Sequence, residues 1–270
     1  MNITFIGGGN MASALISGLL QQGHPVGQIC VVEINADSGE KIKNQFGVSV
    51  VTDLPRGITC CDVIVLAVKP QQLHELTQVL RPLLNNQLVI SIAAGIRATD
   101  IMRWLGGYDR VVRAMPNTPS LVRAGVTGLY AAPDTSPQDK RNAELILGAV
   151  GSILWVDEEE MLHSVTAMSG SGPAYVFYFI ESMQQAGVEL GLTPEQARQL
   201  ALQTFLGAAK LADQSDEDAA VLRARVTSKG GTTEQAIQSM ERNTVKSKIV
   251  AAIHAANTRS QELSEEFGRL

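Results

Sequence analysis

The 270-residue chain lacks the features that mark several classes of protein. No apolar run reaches the ~20 residues that a membrane-spanning helix needs, so we expect no membrane partner. The formal net charge of −5 argues against a nucleic-acid partner held by phosphate contacts. The three cysteines are odd in number and lack metal-ligand spacing, so neither a disulfide framework nor a metal site is predicted. With no basic signal region at the N-terminus, reduced thiols predict a cytoplasmic protein.

The beginning of the chain carries the most informative signal. A β-type run at 3–6 leads directly into a glycine turn with the spacing G-x-G-x-x-A, and a helical run follows. This context is typical of a turn that binds a dinucleotide. Gly7 permits a tight turn, Gly9 lets the backbone approach the pyrophosphate, and Ala12 lets the helix pack close to the strand. The predicted cofactor residues of this turn are Gly7, Gly8, Gly9, Asn10 and Met11.

Glu33 supports the same interpretation. It ends the next apolar strand, at 29–32, and lies 21 positions beyond Ala12. A carboxylate about 20 residues after the glycine turn holds the ribose hydroxyls in this kind of site. It also repels a 2′-phosphate, and no arginine occurs at 34–37. We therefore expect NADPH or NADH as cofactor, with NADH slightly favoured; the alternative is a solvated acidic residue at a strand end.

The alternation of strands and helices predicts the fold class. Up to residue 157, β-type and helical runs alternate, which indicates an α/β fold with a Rossmann-type, doubly wound sheet. Further strands are predicted at 63–68, 88–92, 110–113, 126–131 and 152–156, with helices at 71–83, 99–105 and 137–149. Over 158–270 only helical periodicity remains, which predicts an all-α domain. Its helices are predicted at 158–166, 172–190, 194–212, 216–225, 233–241 and 244–264.

One predicted helix is unusually apolar. The segment 174–180 is apolar on every side, and such a helix must be buried all round. A domain of about 110 residues has difficulty burying it alone. The residues leave two explanations open: the helix packs against a second subunit, or it lies in the core of its own chain.

Ligands of an open parallel sheet bind outside the carboxyl ends of its strands. Besides the glycine turn, those ends are predicted at 67–70, 93–95 and 115–119. Lys69 either bonds the nicotinamide ribose or faces solvent. Asn117, between two prolines, is either a substrate-binding residue or the polar member of a stiff turn. The cofactor residues predicted here are Ala67, Val68, Lys69, Pro70, Ala93, Ala94 and Gly95.

Two glycine-containing loops stand out in the helical part. Residues 166–173 enter the apolar helix through two Gly-Ser alternations, and residues 226–233 precede another helix. A glycine loop that feeds a helix N-terminus offers N–H groups to an anion, such as a substrate carboxylate. Thr232 and Gln235 have the spacing of a capping box. The alternative for both loops is ordinary loop and cap structure.

Six stretches of the chain resemble the pyrroline-5-carboxylate reductase family. The last three together are specific, and the six cover nearly the whole chain. Lys229 departs from the family, which usually has proline there. The six stretches are GGGNMA in the glycine turn, VKPQ at 68–71, SIAAG at 91–95, MPNTP at 115–119, SGSGPAY at 169–175 and VTSKGGTT at 226–233.

The resemblance implies hydride transfer from NAD(P)H to the C=N bond of 1-pyrroline-5-carboxylate, giving L-proline. It also implies that the helical domain pairs into a homodimer and that dimers can assemble further. Thr166 would hydrogen-bond the imine nitrogen, with His163 as the rival proton donor. An imine that arrives protonated needs positioning rather than an acid–base relay, and no histidine has a relay or metal motif. The substrate carboxylate would be held by Ser228, Gly230, Gly231, Thr232 and Thr233.

Three alternatives compete with this function. A hydroxy-acid dehydrogenase would want a lysine or histidine near the start of the apolar helix, and 164–176 contains neither. A sensing protein that binds NAD(H) without turnover would leave the loop at 226–233 unexplained. A reductase of another cyclic imine, such as the six-membered homologue, differs in pocket size, which residues alone do not define.

Overall fold

The computed structural model describes all 270 residues, and these form two compact units. Unit 1 comprises Met1–Ser171 together with Ala256–Leu270, and unit 2 comprises Gly172–Ala255. These limits differ from the expected boundary after residue 157, because residues 158–171 and the final turns of the last helix belong to unit 1. The division into functional domains at 1–157 and 158–270 stays a prediction.

Unit 1 is built on one eight-stranded sheet, in the order β3-β2-β1-β4-β5-β6-β7-β8. Strands β1 to β6 are parallel, β7 runs antiparallel to β6, and β8 is parallel to β7. The doubly wound sheet predicted from the alternation is confirmed. The strands are β1 Ile3–Ile6, β2 Ile29–Val32, β3 Ser49–Val51, β4 Val63–Leu66, β5 Leu88–Ser91, β6 Val111–Met115, β7 Gly125–Ala131 and β8 Gly151–Trp155.

Helices connect these strands. The segment from α2 to α3, around the short β3, was not predicted, because a strand of one exposed and two half-buried residues carries no clear pattern. The helices are α1 Asn10–Gln21, α2 Ala36–Phe46, α3 Leu54–Ile58, α4 Pro70–Leu80, α5 Ala98–Trp104, α6 Pro137–Leu147 and α7 Met161–Val165. A π-helix follows at Thr166–Gly170, and 3₁₀ turns occur at Val26–Gln28, Arg81–Leu83, Thr118–Val122 and Gly148–Val150.

The core of unit 1 consists of two apolar clusters. Successive side chains of a strand point to opposite faces of the sheet. Phe5 therefore belongs to one cluster, with Leu15 of α1, and Ile6 to the other, with Leu73 of α4. Because apolar side chains cover both faces of the sheet, a ligand can reach its central strands only at their carboxyl ends.

Unit 2 is helical. It contains α8 Gly172–Glu189, α9 Pro194–Asp213, α10 Ala219–Arg225, α11 Thr232–Arg242 and the first part of α12 Val245–Gly268. Helices α8 and α9 approach closely, since a Cβ at Gly187 would lie 2.9 Å from the Ala197 Cβ. At the start of α9, Thr193 and Gln196 form a complete capping box.

The apolar helix α8 is only partly covered by its own chain. Phe177 and Tyr178 are 65% and 69% exposed, and Val176 is exposed as well. Burial in the chain's own core, one of the two explanations for this segment, is therefore wrong. None of the helices in the structure combines the length and the apolar character that crossing a membrane requires.

Candidate active site

The glycine turn lies where β1 ends and α1 begins. Gly7 has φ +96°, and a Cβ there would lie 2.8 Å from the carbonyl oxygen of Ala67, so only glycine fits. Gly9 faces open space, because no heavy atom lies within 4 Å of its ideal Cβ position. Helix α1 starts without a side-chain cap, which leaves its first N–H groups available. These features fit the pyrophosphate of a dinucleotide.

Glu33 is joined to this turn by hydrogen bonds. Its Oε2 accepts from the Gly8 N–H at 2.9 Å, and its Oε1 accepts from the Asn35 N–H at 2.9 Å. Each carboxylate oxygen keeps a further lone pair. Glu33 therefore remains able to accept a ribose hydroxyl while it fixes the second glycine of the turn.

Two cations near Glu33 were missed by the sequence reasoning. Lys43 of α2 and Arg56 of α3 line the same cavity of about 580 Å³ as Glu33, beside the edge strand β3. Neither residue lies in the segment 34–37 that directly follows Glu33. The cations come from segments whose helices were not predicted, so the sequence offered no signal that they approach Glu33.

The other predicted cofactor loops lie at the same edge of the sheet. Lys69 is the N-cap of α4 and Pro70 its first residue, as expected after the end of β4. Gly95 has φ +78°, and its carbonyl oxygen accepts a 2.8 Å hydrogen bond from the hydroxyl of Ser264. The buried Ser264 was also missed; its only sequence signal is the four-residue spacing from Ser260 on α12.

Thr166 begins the π-helix. The Ser171 N–H donates to the Thr166 carbonyl at 2.8 Å, which produces the wide turn that is common at functional sites. The Thr166 hydroxyl donates to the Leu162 carbonyl at 2.7 Å. A hydroxyl has one proton and two lone pairs, so the Thr166 oxygen is left as an acceptor.

His163, the rival proton donor, is enclosed by protein. It is 2% exposed; its Nδ1 lies 2.9 Å from the Ser260 hydroxyl and its Nε2 lies 3.3 Å from Glu160. Burial lowers the pKa of His163 below its usual value, Arg113 adds to this, and Glu160 opposes it. A buried imidazole with both ring nitrogens partnered favours a structural role over proton donation.

Asn117 also has its polar groups engaged. It is 8% exposed, its Oδ1 accepts from the Val126 N–H at 3.0 Å, and its Nδ2 donates to the Ser169 carbonyl at 3.1 Å. The structure therefore brings Asn117 to the π-helix that carries Thr166. Because Asn117 follows β6, this π-helix lies beside the carboxyl edge of the sheet.

The loop at 228–233 belongs to unit 2. Gly231 is the N-cap of α11 and no side chain caps this helix, so the predicted capping box of Thr232 and Gln235 is wrong. Thr232 lies inside the first turn, one residue too late to cap. Gly230 has φ +75°, and its N–H donates to Glu234 at 2.7 Å. The first-turn N–H groups of α11 remain without a side-chain partner, as an anion site requires.

A Rossmann sheet with an open glycine turn and a carboxylate after β2 defines a dinucleotide-binding oxidoreductase. Comparison with known families agrees. Residues 2–95 match a family model described as NADP oxidoreductase, coenzyme F420-dependent. Residues 159–263 match a model described as pyrroline-5-carboxylate reductase dimerisation, which supports a homodimer.

Individual relatives define the family. The pyrroline-5-carboxylate reductase of Pseudomonas aeruginosa is 46% identical over 268 residues, covering 99% of this chain and 98% of the relative. The solved reductase from Coxiella burnetii is 45% identical with a TM-score of 0.93, covering 97% of this chain and 98% of that one. The Plasmodium falciparum enzyme, solved with NADP bound, is 30% identical with a TM-score of 0.87 and 98% coverage of both chains. This chain belongs to the pyrroline-5-carboxylate reductase family, and the resemblance of its six motifs is confirmed.

Proposed function

We propose how this chain carries out the reaction of its family, the reduction of the C=N bond of 1-pyrroline-5-carboxylate to L-proline in the last step of proline synthesis. The glycine turn, with the loops after β4 and β5, binds the nicotinamide cofactor, which supplies a hydride when bound. Thr166 orients the imine nitrogen. The observation that carries this proposal is the Thr166 hydroxyl, held in a π-helix beside the carboxyl edge of the sheet.

The direction of the Thr166 hydrogen bond defines which form of the imine it binds. Its proton is used by the Leu162 carbonyl, so its oxygen accepts the N–H of a protonated imine. The C=N electron pair then moves to a nitrogen that keeps its proton, and the product is a neutral secondary amine. A second proton comes from solvent, so no side chain has to act as the acid.

The substrate carboxylate is assigned to the α11 loop. The first-turn N–H groups and the positive end of the helix dipole favour an anion there. The residues assigned are Ser228, Gly230, Gly231, Thr232 and Thr233. Among these, Gly230 shapes the loop through its left-handed backbone, because its N–H is bonded to Glu234. Exchanging Ser228 for alanine is expected to raise the KM for the imine acid about tenfold, a loss typical of one hydrogen bond to a charged group, with the cofactor KM unchanged. An unchanged KM would remove Ser228 from the site.

Cofactor preference is the finer part of the proposal. The Glu33 carboxylate favours NADH over NADPH, whereas Lys43 and Arg56 offer positive charge to a 2′-phosphate from the neighbouring cavity. We retain the slight preference for NADH, because Glu33 is hydrogen-bonded to the turn itself. Initial rates with both cofactors, for the wild type and Glu33→Gln, test it. The ratio of NADPH to NADH rates should rise in the variant; an equal ratio would argue against a role for Glu33.

Assembly and location complete the proposal. Two chains pair through the exposed face of α8, and dimers can assemble further. The enzyme works in the cytoplasm. Its three cysteines are free thiols, and thiols stay reduced in that compartment. Sedimentation at micromolar concentration tests the pairing, and a monomer would count against it.

The decisive experiment compares Thr166→Val with Thr166→Ser. Valine keeps the shape but lacks the oxygen, so we expect kcat/KM for 1-pyrroline-5-carboxylate to fall about 100-fold, while serine stays within tenfold of wild type. Cofactor affinity, measured by titration of its fluorescence, should not change. Equal activity of Thr166→Val and wild type would exclude Thr166 from the mechanism.

Two alternative functions predict different results in the enzyme assay. A sensing protein would bind NADH without oxidising it when the imine acid is supplied. A reductase of the six-membered imine would turn over that substrate faster than the five-membered one. Both are measured in the assay used for the Thr166 variants.

A further inference from the structure

The side chain of Asn117 continues the hydrogen bonding between β6 and β7 beyond the end of β6, since its Oδ1 accepts a backbone N–H. The β6–β7 ladder pairs Met115 with Gly128, and two residues further along the same register Asn117 lies opposite Val126. There the side-chain Oδ1 accepts the Val126 N–H at 3.0 Å. Pro116 and Pro119 on either side stiffen this segment. The position of the Asn117 amide is therefore fixed by the sheet.

The other end of the same amide reaches the π-helix. Its Nδ2 donates to the carbonyl of Ser169 at 3.1 Å, three residues after Thr166. A second contact joins the same two elements, because a Cβ at Gly170 would lie 2.6 Å from the Cε of Met115. The end of β6 thus contacts the π-helix through one polar and one apolar side chain.

A π-helix depends on such support. Its geometry is rare, and it persists where tertiary contacts stabilise it. The Ser171 N–H donates to the Thr166 carbonyl across this turn, and the hydroxyls of Thr166 and Ser169 donate back to carbonyls of α7. The Asn117 amide is a polar link from this turn to the end of β6, and Asn117 is 8% exposed, which leaves little surface for a ligand.

We infer that Asn117 is a positioning residue: it holds the π-helix so that the Thr166 oxygen meets the imine nitrogen. This inference rests on the proposed role of Thr166. It changes the role first expected for Asn117, which was direct contact with the substrate. A displacement of about 1 Å at a reacting group reduces a rate by up to ~100-fold, so the Asn117 amide is expected to control turnover at a distance.

The test is a double-mutant cycle between Asn117→Asp and Thr166→Ala. Aspartate still accepts the Val126 N–H but places a carboxylate oxygen against the Ser169 carbonyl, so the donor to the π-helix is lost. In the wild-type background we expect kcat/KM for the imine acid to fall 10- to 100-fold with unchanged cofactor affinity. In the Thr166→Ala background the same exchange should change kcat/KM less than threefold.

Two controls separate a positioning role from general damage. Asn142→Asp makes the same exchange on α6, where the Asn142 side chain accepts from the exposed Gln138; it should leave kcat/KM unchanged. If Asn117→Asp does not yield folded protein, the uncharged Asn117→Ser enters the same cycle. Thermal unfolding of every variant identifies losses that come from instability.

Each outcome of the double-mutant cycle either supports or overturns the positioning role of Asn117. Equal losses in both backgrounds, or no loss in either, would overturn the inference, since Asn117 would then act independently of Thr166 or not at all. No loss from Thr166→Ala alone would overturn the role of Thr166 and, with it, that of Asn117. Loss in the wild-type background only would establish Asn117 as a positioning residue.

Discussion

The two units differ most in what they bury. Unit 1 contains two apolar clusters that cover both faces of its sheet. In unit 2 the buried residues are Gly187, Ala197 and Ala201, and large apolar side chains of α8 are exposed. Hydrophobic burial is the main stabilising contribution to folding, so unit 1 has its own core whereas unit 2 lacks one. A unit of this kind completes its core with another surface, and the match to a dimerisation family indicates a second copy of the chain.

The difference also explains how the candidate site residues are held. In unit 1, Thr166, Asn117 and Glu33 are fixed by hydrogen bonds to buried or half-buried partners. In unit 2, the α11 loop is exposed and is held chiefly by local contacts such as that from Gly230 to Glu234. We therefore expect the imine and cofactor contacts to be preformed and the carboxylate contacts to be more adaptable.

The largest expected effect comes from disrupting the dimer contact that covers the apolar face of α8 in unit 2. Phe177→Asp places a charge on the exposed face of α8, and burial of that charge in a dimer is costly. We expect the dimer dissociation constant to rise roughly 1,000-fold, which corresponds to about 4 kcal/mol. Sedimentation at micromolar concentration measures it.

The control is Leu145→Asp, which changes an exposed apolar residue of unit 1 on α6 in the same way. Its sedimentation should equal that of the wild type. A Phe177→Asp protein that stays dimeric would show that another surface completes unit 2.

The next effect concerns the core of unit 1. Arg113 and Glu159 form an ion pair at 2.9 Å with side chains 3% and 10% exposed, and Glu159 also accepts the Ala98 N–H at 2.5 Å. Glu159→Leu leaves the Arg113 charge buried without a partner. We expect the free energy of unfolding to fall by about 3 kcal/mol in chemical denaturation.

Glu262→Gln provides the comparison, because Glu262 pairs with Arg259 where both side chains are more than half exposed. Exposed pairs contribute less than about 1 kcal/mol. Similar losses in the two variants would contradict the distinction between a buried and an exposed pair.

A smaller effect is expected at the loop after β5. Ser264→Ala leaves the Gly95 carbonyl without its buried donor, which costs about 1 kcal/mol. Because Gly95 is a predicted cofactor residue, the KM for NADH should rise several-fold while the KM for the imine acid stays the same. Thr59→Ala, which removes an exposed hydroxyl that donates to the Pro55 carbonyl, serves as control. Equal changes in both Michaelis constants would indicate a general loss of structure.

The smallest effect depends on pH. Burial, and secondly Arg113, lower the pKa of His163, while Glu160 and Glu159 oppose them. The folded state therefore binds fewer protons than the unfolded state below the usual histidine pKa of about 6.5. This contribution to stability is complete above that pH and is lost as the pH falls towards the lowered pKa. His163→Gln should flatten the decline in melting temperature between about pH 7 and pH 5, whereas His254→Gln, at an exposed position, should not.

Local patterns predicted much of the fold. The glycine turn, the strands of the sheet and the helices of unit 2 have clear periodicity, and the structure has them within a few residues. The segment from α2 to α3 was missed because β3 has three residues, one exposed and two half-buried. The helix expected at 158–166 is shorter, Met161–Val165, and continues as a π-helix that a distant residue, Asn117, contacts.

The contacts of the candidate site were less predictable than its residues. Thr166 and Asn117 were identified from motifs, but their connection through the Ser169 carbonyl joins positions 52 residues apart. The hydrogen bond from Ser264 to Gly95 spans 169 residues. Such pairs leave no periodic signal in a single sequence, so only the folded chain reveals them.

Helix α12 affects the order in which the two units can finish folding during synthesis. Unit 1 needs Ala256–Leu270, yet these residues leave the ribosome only after the 84 residues of unit 2. The sheet ends at Trp155, and the 100 residues between it and Ala256 take roughly 5–20 seconds to synthesise at about 5–20 residues per second. During that interval the Gly95 carbonyl lacks Ser264, and the surface that Leu263 and Phe267 later cover is open. The larger part of the cofactor-binding unit is thus synthesised before unit 2, and its last segment follows unit 2.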